Sequence, residues 1–378
     1  MPQAERGLFE MIRGRPVWLV GDGSSALLAP VEGLSPESLE LLRDAGTAPV
    51  RISLTTHRAL SMGLVTGEKA SINGRPGGVS LPVRSGWGVD EIVALASSRS
   101  DGAVHSNGLR PAADVEVAGL ILTRLARLLP AVVSAPGAGI PSAAIRPALD
   151  SGAILRLGVE EVRALVDPGR EEVRRVTEGP VPLEGAEEAR FVLYREGSGL
   201  FEHVAVLIGD PTRWPRPVPI RLHSACLTGD LFGSLRCDCG EQLRTSLRAF
   251  KKAGGGVLVY LAHEGRSIGL GNKLRAYSLQ EQGLDTVDAD CVLGFGPDER
   301  SYLAAVAILK DLGVTRTRLF TNNPEKVAAL ERGGIEVVVR ESLQGAVNRH
   351  NQPYLDAKAR RSGHWLDGTS LPDDSEEG

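Results

Sequence analysis

The stretch Cys226-Leu-Thr-Gly-Asp-Leu-Phe-Gly-Ser-Leu-Arg-Cys237-Asp-Cys239-Gly240 gathers three of the chain's four cysteines into one short run. Ten residues separate Cys226 from Cys237 and one separates Cys237 from Cys239, so a loop returning on itself would bring three sulfurs to one ion. Zinc suits such a donor set, and three ligands leave a fourth tetrahedral position for water. A disulfide and a set of buried thiols are the competing readings. Four cysteines in 378 residues, with no secretory leader in Met-Pro-Gln-Ala-Glu-Arg-Gly-Leu-Phe, predict a cytoplasmic protein whose thiols stay reduced. Cys291 stands apart and reads as a buried small hydrophobe.

Composition narrows the function classes. With 42% hydrophobic and 24% charged residues the chain reads as an ordinary globular protein, long enough for more than one domain. The most apolar helical stretch, Val115 to Pro130, is short and interrupted by Arg124 and Arg127, so no membrane span is expected. A net charge of −4 and 4% aromatic residues argue against a nucleic-acid binder, which needs a basic face and stacking platforms. A polyanionic ligand would have to meet a local positive cluster.

Patterning outward from the cysteines predicts an α/β (α+β) protein of two mixed-sheet domains. Residues 1–166 alternate strand-like runs (Pro16–Val20, Val50–Leu54, Ala131–Ser134, Ala153–Leu157) with helix-like ones (Pro36–Asp44, Ala113–Leu129, Val159–Leu165). Residues 167–189 are rich in charge, Gly and Pro and read as a linker. The second domain, 190–366, shows strands at Phe191–Arg195, Val204–Ile208, Val257–Leu261, Arg318–Thr321 and Ile335–Arg340. Helices follow Gly240 and cover Lys273–Gln282 and Ser301–Leu312, and another starts where Asn323 caps and Pro324 opens the first turn. Residues 367–378 form an acidic tail with almost nothing to bury.

Between a strand and a helix lies Glu264-Gly265-Arg266-Ser267-Ile268-Gly269-Leu270-Gly271-Asn272-Lys273-Leu274-Arg275-Ala276-Tyr277. Its glycines and cations suit a phosphate chain, although it matches neither the Walker A nor the dinucleotide pattern, and a plain strand-to-helix turn reads equally well. Glu264 could accept hydrogen bonds from the N–H and amine that guanine presents together, or be a surface carboxylate. Asp298-Glu299-Arg300 falls at the expected start of a helix, where acids are favoured by the dipole. His223 and His263 are further candidates for zinc, or packed histidines.

Taken in order, Arg221-Leu-His-Ser-Ala-Cys226, Ser234-Leu-Arg-Cys237-Asp-Cys239-Gly, Glu264-Gly-Arg, Asn272-Lys-Leu-Arg-Ala-Tyr277, Gly283-Leu-Asp-Thr286, Leu293-Gly-Phe295, Asp298-Glu-Arg300 and Thr321-Asn-Asn-Pro-Glu-Lys326 resemble GTP cyclohydrolase II of riboflavin biosynthesis. The resemblance spans roughly Phe191 to Leu366. It implies zinc on Cys226, Cys237 and Cys239, and conversion of GTP to 2,5-diamino-6-(5-phosphoribosylamino)pyrimidin-4-one, formate and pyrophosphate. By the same resemblance Arg300 attacks the α-phosphorus, with a phosphate clamp as the other reading of that residue, Asp298 accepts a proton and Tyr277 assists at the opening ring. The implied nucleotide contacts are Arg221, Leu222, His223, Ser224, Gln242, Glu264, Gly265, Arg266, Thr286, Thr321 and Lys326, with magnesium accompanying the triphosphate and a homodimer as the assembly. Ala225 stands where many members have Glu, and Leu261-Ala262-His263 replaces a more polar run. These departures keep open a paralogue working on another nucleotide; a nucleotide-binding regulator with structural zinc is the remaining alternative.

The first half is similar to a worn 3,4-dihydroxy-2-butanone 4-phosphate synthase. An acidic metal-binding run would follow Asp22, but Gly23-Ser-Ser-Ala-Leu-Leu-Ala stands there, and Arg110-Pro-Ala-Ala-Asp-Val-Glu lacks the histidine that the resemblance implies. Without carboxylates for magnesium and an acid/base group, this half is expected to be silent for that reaction.

Overall fold

The structure, a computed structural model, describes residues 3–46, 48–65, 71–72, 75–99, 106–137, 142–167, 172–343, 345, 347–352, 361 and 365. The tail expected over 367–378 lies outside the described residues. In chain order the elements are α1 (Gln3–Ile12), β1 (Val17–Gly21), β2 (Ser24–Pro30), α2 (Pro36–Ala45), β3 (Arg51–Thr55), α3 (Thr56–Ser61), β4 (Ser71–Ile72), β5 (Arg75–Pro76), β6 (Gly78–Pro82), α4 (Val89–Ser97), β7 (Arg110–Pro111), α5 (Asp114–Leu125), β8 (Ala131–Gly137), α6 (Arg146–Asp150), β9 (Leu155–Gly158) and α7 (Val159–Arg163). They continue with β10 (Val173–Pro180), β11 (Arg190–Glu196), β12 (Glu202–Ile208), β13 (Val218–Ser224), α8 (Leu227–Asp230), α9 (Cys239–Ala253), β14 (Gly256–Leu261), α10 (Leu270–Glu281), α11 (Thr286–Val292), α12 (Leu303–Asp311), β15 (Arg316–Phe320), α13 (Pro324–Arg332) and β16 (Glu336–Glu341). Among the described residues no helix is long and apolar enough to cross a membrane.

The chain forms two compact units, Met1–Arg170 with Ile268–Glu299, and Glu171–Ser267 with Arg300–Gly378. The first is built on a seven-stranded mixed sheet in the order β7-β6-β3-β8-β2-β1-β9. Asp22-Gly23 turns β1 back onto β2 as an antiparallel hairpin, and Gly23 has φ +69°, a left-handed backbone that glycine adopts without steric cost. Trp18, Leu27, Leu42, Ile52, Leu54 and Val133 are buried at the centre. Glu116 of α5 is also buried, with Ser80 and Ser134 donating to Oε1 and Arg110 paired across both oxygens, so its charge is compensated.

The second unit carries a seven-stranded sheet in the order β10-β11-β12-β14-β13-β15-β16. β10 to β14 pair antiparallel, whereas β14, β13, β15 and β16 run parallel. β13 lies between β14 and β15, and the chain leaves β13 toward β14 but leaves β15 toward β16. Such a reversal opens a crevice beyond the carboxyl ends of parallel strands, the usual place for a ligand in an open α/β sheet. Those ends hand the chain to Cys226, Glu264 and Thr321.

Several expectations change. The run expected as a linker over 167–189 contains β10, an edge strand paired with β11. Most of its side chains are exposed, so pairing rests on backbone hydrogen bonds and leaves no apolar alternation in the sequence. Asp298-Glu299-Arg300 does not open a helix, since α12 begins at Leu303; Glu299 instead accepts from the Gly296 amide and closes a loop. Cys291 is half-buried rather than buried. The segment Ile268–Glu299, expected inside 190–366, shares its compact unit with the first half of the chain.

Candidate active site

The cysteine loop is held by backbone geometry before any ion is considered. Cys226 follows the end of β13, and Cys239 is the first residue of α9, where unsatisfied amides favour negative charge on its sulfur. The three sulfurs lie within 4.8 Å of one another, with Cys226 Sγ and Cys237 Sγ 3.6 Å apart. Tetrahedral bonds of about 2.3 Å from zinc to sulfur place ligand sulfurs about 3.8 Å apart, so the donor set fits that ion. Gly229 makes the convergence possible, because a Cβ there would stand 2.6 Å from Cys237 Sγ and 3.2 Å from Cys226 Sγ. The Cys226 sulfur, chiefly, pushes the Cys237 thiol up, with Cys239 acting in the opposite sense. A divalent cation relieves that repulsion by partnering all three thiolates.

Beside the sulfurs, Asp230 of α8 anchors the loop. Its Oδ2 accepts from the Cys226 amide at 3.0 Å and from the Tyr260 hydroxyl at 2.8 Å, and its Oδ1 lies 3.0 Å from His223 Nε2. His223 Nδ1 receives a long contact from Arg221 Nε at 3.5 Å, so the hydrogen-bond pattern places the imidazole proton on Nε2. Burial, outweighing Asp230, lowers the His223 pKa and keeps the ring neutral. Its ring stacks on Tyr260 with centroids 5.4 Å apart. His223 therefore faces a carboxylate, and His263 packs edge-on against Tyr302 and His203; neither belongs to the group of thiols that, among the described residues, could hold a metal ion.

A second set converges on the carboxyl ends of the parallel strands. Arg221 is buried, donates to the Phe320 carbonyl at 3.1 Å and to Gln242, and has its pKa pushed down to about 10, mainly by burial. Gln242 in turn donates to Asp238 at 2.5 Å. Lys326 sends its buried ammonium to the Leu222 carbonyl at 2.6 Å. Thr321 accepts from the Asn323 amide at 3.0 Å. Ser224 Oγ is buried without a hydrogen-bond partner among the described residues, which leaves a polar atom for a ligand to satisfy. Arg300 and Lys326 lie 5.7 Å and 5.9 Å from the ring of Tyr302.

The glycine turn adds strain to this set. Gly265, Arg266 and Ser267 are all left-handed, with φ of 61°, 59° and 75°. Two consecutive non-glycine residues in that region cost about 1–2 kcal/mol each, a conformation that persists where the surroundings impose it and is common at functional sites. Glu264 is no free surface carboxylate: Oε2 accepts from the Leu227 amide at 2.7 Å, tying the turn to the cysteine loop, and Oε1 from Gly265 at 3.2 Å.

In the other compact unit, Tyr277 lies on α10 with Lys273 Nζ 5.8 Å from its ring, Thr286 opens α11 after the capping Asp285, and Asp298 lies in the loop before α12. Sequence reasoning did not single out Gly229, Asp230, Asp238 or Tyr260 as working parts. The one local cue was Asp230 four residues after Cys226, a spacing that lets a helical side chain reach back to the first turn.

A family model described as GTP cyclohydrolase II matches residues 174–342. The GTP cyclohydrolase-2 of Azospirillum brasilense is 42% identical over 373 residues, which cover 97% of this chain and 94% of that protein. This chain belongs to the GTP cyclohydrolase II family. The GTP cyclohydrolase-2 of Xylella fastidiosa (strain Temecula1) is 38% identical over 371 residues, 98% of this chain and 88% of its own. That of Haemophilus influenzae (strain PittEE) is 50% identical over 165 residues, only 44% of this chain but 76% of its own. A two-domain 3,4-dihydroxy-2-butanone 4-phosphate synthase from A. baumannii aligns at 17% identity over 90% of this chain and 99% of that one, with a TM-score of 0.31, a likeness too slight to carry an argument. Membership of the GTP cyclohydrolase II family gives the cysteine loop its context, a hydrolase in which a group of three thiols could hold a metal ion.

Proposed function

We propose that the protein hydrolyses GTP to 2,5-diamino-6-(5-phosphoribosylamino)pyrimidin-4-one, formate and pyrophosphate, the entry step of riboflavin synthesis, as a zinc-dependent enzyme. The convergence of Cys226, Cys237 and Cys239 on one point, in a chain of this family, carries the proposal. The chemistry that zinc supplies on such a site is the activation of water at neutral pH. Three waters balance the reaction: one opens the imidazole ring at C8, a second releases formate, and a third accounts for the loss of pyrophosphate.

The protein's own groups divide the remaining work. The strained turn at Gly265–Ser267 brings amides and Arg266 toward the phosphates, and Glu264 reads the guanine edge while its other contacts fix the cysteine loop. Arg221, Leu222, His223, Ser224, Gln242, Thr286, Thr321 and Lys326 complete the nucleotide site. Arg300 attacks the α-phosphorus as pyrophosphate leaves, Asp298 takes the guanidinium proton, without which the group is no nucleophile, and the third water then cleaves the Arg300–phosphorus bond to free the monophosphate. Tyr277 assists at the opening ring, and magnesium accompanies the triphosphate. The protein works in the cytoplasm as a homodimer, and the first half does not catalyse the dihydroxybutanone phosphate synthase reaction.

Incubating the purified full chain with GTP, with zinc analysis and chromatography of formate, pyrophosphate and the pyrimidine, tests this directly. Equal molar release of the three products is expected. Full zinc occupancy without product would overturn the proposal.

A further inference from the structure

The segment Ile268–Glu299 carries Tyr277, Thr286 and Asp298, yet it folds into the compact unit built by the first half of the chain. Ties within that unit are spread along the segment. Asn272 Nδ2 donates to the Arg127 carbonyl at 2.9 Å, and Glu32 accepts both from Arg275 at 3.0 Å and from the Leu129 amide at 2.8 Å. Arg99 donates to the Gln282 carbonyl at 3.0 Å, and the buried Thr55 hydroxyl donates to the Gly294 carbonyl at 2.6 Å. Leu129 enters the small core of Ile268, Ala276, Leu279, Ala289, Val292, Leu293 and Phe295. At Gly294, with φ +88°, a Cβ would stand 3.1 Å from both Pro130 and Thr55, so the approach is close as well as hydrogen-bonded.

The last tie concerns the residue beside Asp298. Arg124 of α5 reaches Glu299 Oε2 at 2.5 Å, while Glu299 Oε1 accepts from the Gly296 amide at 2.6 Å. One carboxylate thus closes the 296–299 loop and, with its other oxygen, anchors that loop to the first half. The two side chains are only 29% and 16% exposed, so the pair is largely withdrawn from water and gives up side-chain freedom to hold one geometry. A charged clamp at that point has a use if the position of Asp298 matters to the reaction.

We propose that the first half is a positioning scaffold for the catalytic segment, with Arg124 as a positioning residue that acts through Glu299 on Asp298. The inference rests on the role given to Asp298 under the proposed function. Displacements near 1 Å at reacting groups cost about a hundredfold in rate, so a clamp on a loop is sufficient to matter.

The test uses the full chain with Arg124→Leu, Arg124→Lys and Glu299→Gln. Steady-state kinetics with GTP are read beside zinc content and amide hydrogen exchange of the peptides spanning Gly296 and, separately, β13 and β14. Arg124→Leu should lower kcat about tenfold or more while changing KM less than about threefold, because a transition-state alignment is lost and ground-state binding is kept. Zinc content should hold, exchange should quicken around Gly296 but not in β13 or β14, and Arg124→Lys should recover most of kcat. A kcat for Arg124→Leu within about twofold of the unaltered protein, unchanged exchange at Gly296, or loss of protection throughout both units would overturn the proposal. Failure of the unaltered protein to release product would refute the proposed function instead, and the exchange measurement would still report whether Arg124 fixes the loop.

Discussion

Asp230 reaches back to Cys226: its Oδ2 accepts a hydrogen bond from the Cys226 amide at 3.0 Å, clamping the first of the three clustered thiols to the end of the short helix that follows it. The same oxygen takes the Tyr260 hydroxyl at 2.8 Å, and burial together with Asp230 pushes the Tyr260 pKa up, so the phenol remains a donor. Asp230→Asn keeps the shape but removes the charge and one of the two acceptor oxygens. A buried donor left without its acceptor costs about 1–3 kcal/mol. The variant should unfold at lower urea and surrender zinc faster to a chelator; an unchanged release rate would show that the clamp does not orient Cys226.

Cys237→Ser exchanges a soft donor atom for a hard one and, on the proposed zinc role, should leave the chain with little zinc and no formate release. Gly229→Ala should act similarly without touching a ligand, since its Cβ would press within 2.6 Å of Cys237 Sγ. Gly179→Ala is the control, because that position has open space around it and lies on the edge strand β10. Metal analysis of the three purified proteins decides the matter: zinc retained in Gly229→Ala would mean the loop can yield.

Glu264→Gln addresses base recognition. A carboxylate that accepts from both N–H and amine discriminates guanine from hypoxanthine, which lacks the amine. The unaltered protein should prefer GTP to ITP in kcat/KM by about a hundredfold or more, and the variant should lose most of that preference. Equal loss on both substrates would assign Glu264 to holding the Leu227 amide alone.

His57 predicts a pH dependence of stability. Burial lowers its pKa below the ordinary 6.5, opposed by Glu299 and reinforced by Arg124. Between the lowered folded value and 6.5 the unfolded chain binds a proton that the folded chain does not. Stability from this group is therefore complete above pH 6.5 and is lost as the pH falls below it. Urea midpoints from pH 7.5 down to pH 5 should fall less steeply in His57→Asn than in the unaltered protein, and parallel curves would refute the assignment.

Much of the second unit's architecture is legible in the sequence, because its signals are local. Gly254 ends α9 in a left-handed cap, Asn323 caps α13 through the Glu325 amide, and Val257–Leu261 is a short apolar run that reads as a buried strand. β13 escaped notice although it carries Arg221 to Ser224: a strand with two cationic or titratable residues at its end lacks the uninterrupted apolar run expected of a buried parallel strand. β10 escaped for the opposite reason, with too few buried side chains to leave a period of two.

What the sequence by itself determined is the chemistry available: three thiols in one short run, the order of the motifs around them, and a run free of acidic residues directly after Asp22. Only the tertiary structure decided which groups meet. Leu222 and Lys326 lie 104 positions apart and share a hydrogen bond, Thr55 and Gly294 lie 239 apart, and Asp230 joins Cys226 to Tyr260 across two elements. The reason is the range of the forces. Capping, turn and periodicity preferences act within a few residues, whereas these pairings follow from which apolar faces leave water together and from the demand that every polar group carried inside finds a partner.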